Sequence, residues 1–312
     1  MTEASLVVAG PWFEDFSVGD EFDAPGVTLT SGYAAQYQGI VADRLRLPLD
    51  QHLSRAITAA NETLAHPLLV INIAIGQSTW ASQRVKANLF YRGLVLHRPV
   101  HMGDTLYTRT RIAGLRQNRR QSGRAATGMV ALELQTTNQR GEVVLHCWRC
   151  PMIPCRDPDA DTGRNDALDT LGHTPDIAAL LELVPAWNLR PAAGWSGLRA
   201  AQLLDGSCLE IAARDTITSA PELVRLTLNM AMAHTDAALS YLGERLVYGG
   251  HTISLAFAQL TRALPNIITL IAWESCEHSA PVVENDRLRS AVTVLGRHEL
   301  PAGRGTLLRL KV

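Results

Sequence analysis

The sequence predicts an α+β chain built twice over, each half a curved antiparallel sheet wrapped around one long central helix. Three observations lead there: a divergent internal repeat, one long apolar run in each half, and runs of alternating residues after each of those. The chain has 312 residues, room for two domains of about 150 residues that can each bury a core.

The repeat sets the organisation. Thr28-Leu29-Thr30-Ser31 returns as Thr216-Ile217-Thr218-Ser219, each a strand running through a good N-cap residue into a helix. Pro99-Val100 with Asp104, Leu106 and Gly114 returns at the same spacings as Pro281-Val282 with Asp286, Leu288 and Gly296. Between these anchors lie the two apolar runs, His66 to Ser82 and Gly250 to Leu264. Both are too long for an ordinary strand and suit a helix covered nearly all round by a sheet.

Strands are expected from Asp104 to Ile112, Ala126 to Thr136 and Val143 to Ile153, then from Leu288 to Leu295 and Thr306 to Val312. Leu106, Thr108 and Thr110 alternate as a half-buried antiparallel strand requires. Asn138-Gln139-Arg140-Gly141 reads as a hairpin turn with glycine where φ is positive. Residues 156–194, rich in Asp, Pro, Gly and Ala with one helical piece from Pro175 to Leu183, read as the connection between a first domain, 1–155, and a second, 195–312.

Composition excludes several functions. Lys plus Arg number 29 against 30 for Asp plus Glu, so no broad basic field exists for nucleic acid. Met1 to Gly10 has no signal-peptide pattern, and no run approaches the roughly 18 apolar residues of a membrane span; a soluble, cytoplasmic protein is expected. The five cysteines make a poor disulfide framework and are expected as reduced thiols. Cys147 and Cys150 form a CxxC, but on a strand residues three apart face opposite ways and do not converge on one ion. Neither metal nor cofactor is expected.

Trp12-Phe13-Glu14-Asp15-Phe16-Ser17-Val18-Gly19-Asp20, the segment from Asn88-Leu89-Phe90-Tyr91 through Gly103-Asp104-Thr105-Leu106, and above all the run from Asn229 to Ala256 resemble the MaoC-like, or hydratase 2, dehydratases. Among these the chain is most similar to the tandem-domain mesaconyl-CoA hydratases (β-methylmalyl-CoA dehydratases), and the likeness covers both halves. It implies a double hot-dog fold and a hydro-lyase acting on an acyl-CoA thioester, enoyl-CoA or 3-hydroxyacyl-CoA, with CoA as part of the substrate. The family's motif is an Asp, a His five residues on, an Asp two beyond, and about twenty residues later a Gly that opens the central helix. Asn229, His234, Asp236 and Gly250 stand at those places.

Hydrating an enoyl thioester needs a base for water, an acid for the α-carbon and donors for the developing enolate oxygen. His234 suits the proton transfers near neutral pH, and the free N–H groups at the helix opened by Gly250 suit the oxyanion. Asn229 replaces the usual acid; an amide orients water but exchanges no proton as a carboxyl does, so either His234 carries both transfers with Asn229 holding the water, or the site is impaired. Asp236, Gly249 and His251 are assigned to the substrate's surroundings; by default Asp236 caps backbone N–H groups, and His251 caps or packs.

In the first half, five residues after Asp43 stands Pro48 instead of His, and Pro67 stands where the Gly should be, so this copy is read as degenerate. Arg116, Arg119, Arg120 and Arg124 form a basic cluster that reads equally as a CoA-phosphate contact or a solvated hairpin face. Two rival functions share the fold, a silent thioester-binding subunit and a thioesterase. The second lacks a Glu or Asp at the start of the Gly250 helix. Tandem halves can pair within one chain, and a homodimer of such pairs is equally compatible.

Overall fold

The computed structural model describes residues 8–312; Met1 to Val7, and with them most of the N-terminal segment read above, lie outside the described residues. The first half runs β1 (Glu21–Phe22), β2 (Val27–Thr28), α1 (Ser31–Val41), α2 (Arg46–Leu49), α3 (Gln51–Thr58), α4 (Pro67–Gln77), β3 (Ala87–Leu96), β4 (Thr105–Gln117), β5 (Thr127–Thr137) and β6 (Val143–Pro154). After α5 (Ile177–Leu183), the second half runs β7 (Cys208–Glu210), β8 (Asp215–Thr216), α6 (Ala220–Thr227), α7 (Met232–Thr235), α8 (Gly249–Ala263), β9 (Ala272–Glu277), β10 (Arg287–Leu288), β11 (Ala291–Glu299) and β12 (Thr306–Lys311).

Every residue of α4 is buried, the all-round apolar helix that its sequence demands. The sheet that covers it has the order β1-β4-β5-β6-β3-β9, with β2 also pairing β4. Its last strand comes from the second half: β9 pairs antiparallel with β3, Phe90 opposite Glu277 and Leu94 opposite Trp273. The second half keeps a smaller sheet, β12-β11-β7, and the pair β10-β8. Two hot-dog units thus meet edge to edge, and one core runs from Phe13 through α4 to Leu260 and Val294.

In β4 the inward row is Leu106, Thr108, Thr110 and Ile112, all buried, while Tyr107, Arg109 and Arg111 face solvent. Gly141 has φ 73° in the β5–β6 turn, where Asn138 Oδ1 accepts from the N–H groups of Arg140 and Glu142. Cys147 belongs to the main core and Cys150 to a separate cluster with Leu168, so the two thiols lie on opposite sheet faces and both are free.

Several expectations are corrected. The first apolar run ends as α-helix at Gln77 and tightens into a 3-10 turn, Thr79–Ser82, and Leu288 to Leu295 divides between β10 and β11. The first repeat is capped by Thr30, whose hydroxyl accepts from Tyr33 N–H, one residue before the expected Ser31. Ser219 does cap α6, but with φ 59° and no side-chain bond. Strands β3 and β9 were not anticipated, because neither alternates cleanly. The connecting segment is tied to the first half: Arg164 donates to the Glu14 carbonyl at 3.0 Å and Asp166 accepts from Leu115 N–H at 2.8 Å.

Candidate active site

Three pieces converge where the end of α4 meets the second half. The first is the exit of α6. Leu228 turns the chain out of the helix in a left-handed conformation, φ 62°, and the next residue, Asn229, is buried. Its Oδ1 accepts from Thr79 Oγ1 at 3.0 Å, leaving the amide Nδ2 as the free, donating end. The approach requires Gly76, since a Cβ there would lie 1.6 Å from the Thr227 carbonyl oxygen.

The second piece is α7, anchored by Met232 N–H donating to the Gln83 carbonyl at 2.8 Å. Here His234 is buried, with Nδ1 2.7 Å from the Leu246 carbonyl. A carbonyl only accepts, so Nδ1 carries the proton and Nε2 keeps its lone pair. Burial pulls the imidazole pKa down to about 4, opposed by the Leu246 bond and aided by the charge of Arg149. His234 is therefore neutral at pH 7, with one basic nitrogen available.

The third piece is the start of α8. Tyr248 is the N-cap residue, and no side chain caps the helix; His251 N–H donates to the Tyr248 carbonyl at 2.8 Å, so the N–H groups of Gly249 and Gly250 are the ones available at a partially positive helix end. Gly250 is obligatory on steric grounds: a Cβ would lie 2.1 Å from Asn72 Oδ1 and 2.4 Å from Tyr248 Cζ. Asn72 of α4 in turn donates to Ser254 of α8 at 3.0 Å. Tyr248 links this piece to the second, its ring centroid 5.9 Å from that of His234.

The remaining sequence-predicted residues fall around this centre. Gly249 packs against His278, whose Cε1 lies 2.3 Å from where a Cβ would be. Asp236 is exposed and caps the following turn, accepting from Ala238 N–H at 2.9 Å. His251 is fully buried, neither ring nitrogen has a partner, and burial lowers its pKa to about 4. Of the arginine cluster, Arg116 and Arg120 pair with Asp169 and Asp159.

The first half carries an imidazole that counting from Asp43 missed. His66 caps α4, Nδ1 accepting from Leu68 N–H at 3.1 Å, with Nε2 3.3 Å from the buried Asp43 Oδ1. Nδ1 is taken up by the cap and Nε2 makes no hydrogen bond, and the cap takes a donor that an oxyanion would need. An apolar pocket beside this helix start is lined by Leu64, Pro67, Val70, Leu96 and Ile271; none of the candidate residues lines it.

Sequence reasoning missed Thr79, Tyr248 and Arg149, which meet Asn229, the His234 ring and the His234 charge environment. Arg149 had a signal: it shares the inward row of β6 with Leu145, Cys147 and Ile153, where an arginine needs a reason.

Comparison with known proteins gives the family. Residues 43–147 match the model described as "FAS1-like, dehydratase domain region". The chain is 30% identical to β-methylmalyl-CoA dehydratase of Chloroflexus aurantiacus, over 97% of its own length and 87% of that protein's. The chain belongs to the MaoC-like dehydratase family of hydro-lyases. Mesaconyl-CoA hydratase of Cereibacter sphaeroides is 27% identical over 97% of the chain and 89% of the relative. Among solved structures, a conserved Mycobacterium tuberculosis protein with a double hotdog fold superposes with a TM-score of 0.88 at 46% identity, covering 98% of this chain and 92% of that one. A MaoC domain dehydratase from Chloroflexus aurantiacus superposes with a TM-score of 0.83 at 28% identity, covering 96% and 86%. The double hot-dog architecture that the resemblance implied is that of the Mycobacterium tuberculosis protein.

Proposed function

We propose that this hydratase/dehydratase acts on an α,β-unsaturated acyl-CoA, in the class of mesaconyl-CoA, and that His234, Asn229 and Gly250 do the chemistry. The observation that carries the proposal is the tautomer of His234: buried, neutral, its Nδ1–H fixed on Leu246 and its Nε2 free.

Nε2 takes a proton from a water held by Asn229 Nδ2, and the hydroxide oxygen bonds to the β-carbon as the C=C electron pair moves toward the thioester carbonyl. The N–H groups at the start of α8 hold the resulting enolate oxygen. The imidazolium then returns its proton to the α-carbon, so water has added across the double bond and His234 is neutral again. Dehydration runs the same steps backwards. Asn229 cannot donate a proton, so one imidazole makes both transfers.

The test is to incubate the protein with mesaconyl-CoA, crotonyl-CoA and a longer enoyl-CoA, following loss of the enoyl-thioester absorbance and product mass. The expected result is addition of one water to at least one substrate. Thioester binding without turnover would instead make the chain a silent subunit, and thiol release would make it a thioesterase.

A further inference from the structure

The interior beside His234 holds a positive charge that the mechanism above does not use. Arg149 is 3% exposed. One terminal nitrogen donates to the Ser78 carbonyl and to Ser82 Oγ, Nε has no partner, and among the described residues no carboxylate lies within 4.0 Å of it. A buried guanidinium without a counter-ion is costly, because it has given up its hydration and gained no opposite charge. Its ionisable neighbours do not neutralise it: burial raises the pKa of Tyr91 and Tyr248 and pushes Cys147 and Cys150 up to about 12, so all four stay protonated at neutral pH.

Two chains of contact run from this guanidinium to opposite ends of the candidate site. Through the Ser78 carbonyl it holds the turn whose next residue, Thr79, bonds Asn229. Across the sheet it is paired in register with Tyr91, whose ring stacks edge-on against His278, 5.5 Å away, and His278 packs on Gly249 at the helix start. Tyr248, between these ends, buries its hydroxyl next to the Tyr91 side chain, and no hydrogen bond of 3.5 Å or less holds it. An enoyl-CoA whose β-carbon bears a carboxylate would place that group beside the water on Asn229 and His234.

We infer that Arg149, with the Tyr248 hydroxyl, is the receptor for a free carboxylate on the acyl group, and that it selects dicarboxylic over neutral enoyl-CoA substrates. The inference rests on the hydratase reading above. Arg149 supplies a planar fork suited to a carboxylate, and binding closes the charge that folding leaves open.

The test compares mesaconyl-CoA with 2-methylcrotonyl-CoA, in which a methyl group stands for the free carboxylate. The unmodified protein is expected to favour the dicarboxylic substrate in kcat/KM by about 100-fold, as for a buried charge pair. In Arg149→Gln that ratio is expected to fall to near one, mainly through KM for mesaconyl-CoA, with Arg149→Lys between. Equal loss on both substrates in both variants would make Arg149 a structural brace and overturn the inference. The first comparison needs no variant: equal rates on the two substrates, or a preference for the neutral one, overturns the receptor while the hydratase reading stands. Turnover of neither substrate, nor of any other enoyl-CoA, would remove the hydratase reading itself.

Discussion

The two helix starts, at Pro67 and at Gly250, occupy equivalent places in the repeat and have opposite chemistry. At the first, proline removes an N–H and His66 caps another, so the positive end of α4 is spent within the fold. At the second, two glycines bring the backbone close to Asn72 and His278, and no side chain caps it. The imidazoles differ in the same way: the accepting Nδ1 of His66 is used up by the helix cap, whereas His234 donates through Nδ1 and keeps the lone pair of Nε2 free. A helix start closed by a capping side chain stabilises the fold, and one left open keeps its N–H groups for a ligand.

The largest effect expected is from His234→Ala, which should lower hydration by about 10³-fold or more, as for loss of a general acid–base group, with circular dichroism unchanged. Loss of less than tenfold would break the assignment. Gly250→Ala forces a Cβ onto Asn72 Oδ1 and Tyr248 and should lower kcat by about 100-fold, the scale of a lost oxyanion donor; thermal melting should show an accompanying drop in Tm.

The pH profile sharpens the comparison further. Since burial holds His234 at about pKa 4, the base stays neutral down through pH 5, and the acid limb of kcat/KM should fall near 4 to 5 instead of at the usual histidine value. The same depression acts on stability. The unfolded chain takes up the proton first, so the contribution of a neutral buried His234 is full above its unfolded pKa and is lost as pH falls toward the folded one. Denaturant titrations between pH 7 and 4 measure it.

The smallest effect belongs to the capped end. His66→Ala removes a helix cap and leaves Asp43 buried without its neighbour, costing about 1–3 kcal/mol of stability with turnover within twofold. A large fall in turnover with stability intact would mean that the first half is no longer silent.

The candidate residues were easy to pick from the sequence because they are contiguous: Asn229, His234 and Gly250 lie on one stretch of chain, and the structure gathers them around the end of α4 and the start of α8. The central helices were legible because each is one apolar run. What was not legible is whatever crosses between the halves. Thr79 reaches Asn229 and Asn72 reaches Ser254 over 150 and 182 residues of sequence, and no local pattern encodes such pairings. His66 escaped because it reaches Asp43 from the helix start and not from the spacing that holds His234. Strand β9 escaped because none of its residues is buried and Glu274, Ser275 and Glu277 are exposed, the pattern of an edge.

That edge strand has a consequence for how the chain can be divided. Each half supplies a strand, β3 or β9, whose backbone is completed by the other, so either half made alone would display an open row of amide and carbonyl groups. Such an edge recruits whatever strand it meets, including a copy of itself. A gene cut within residues 156–194 should therefore yield two poorly soluble polypeptides when expressed apart, and a soluble heterodimer when expressed together.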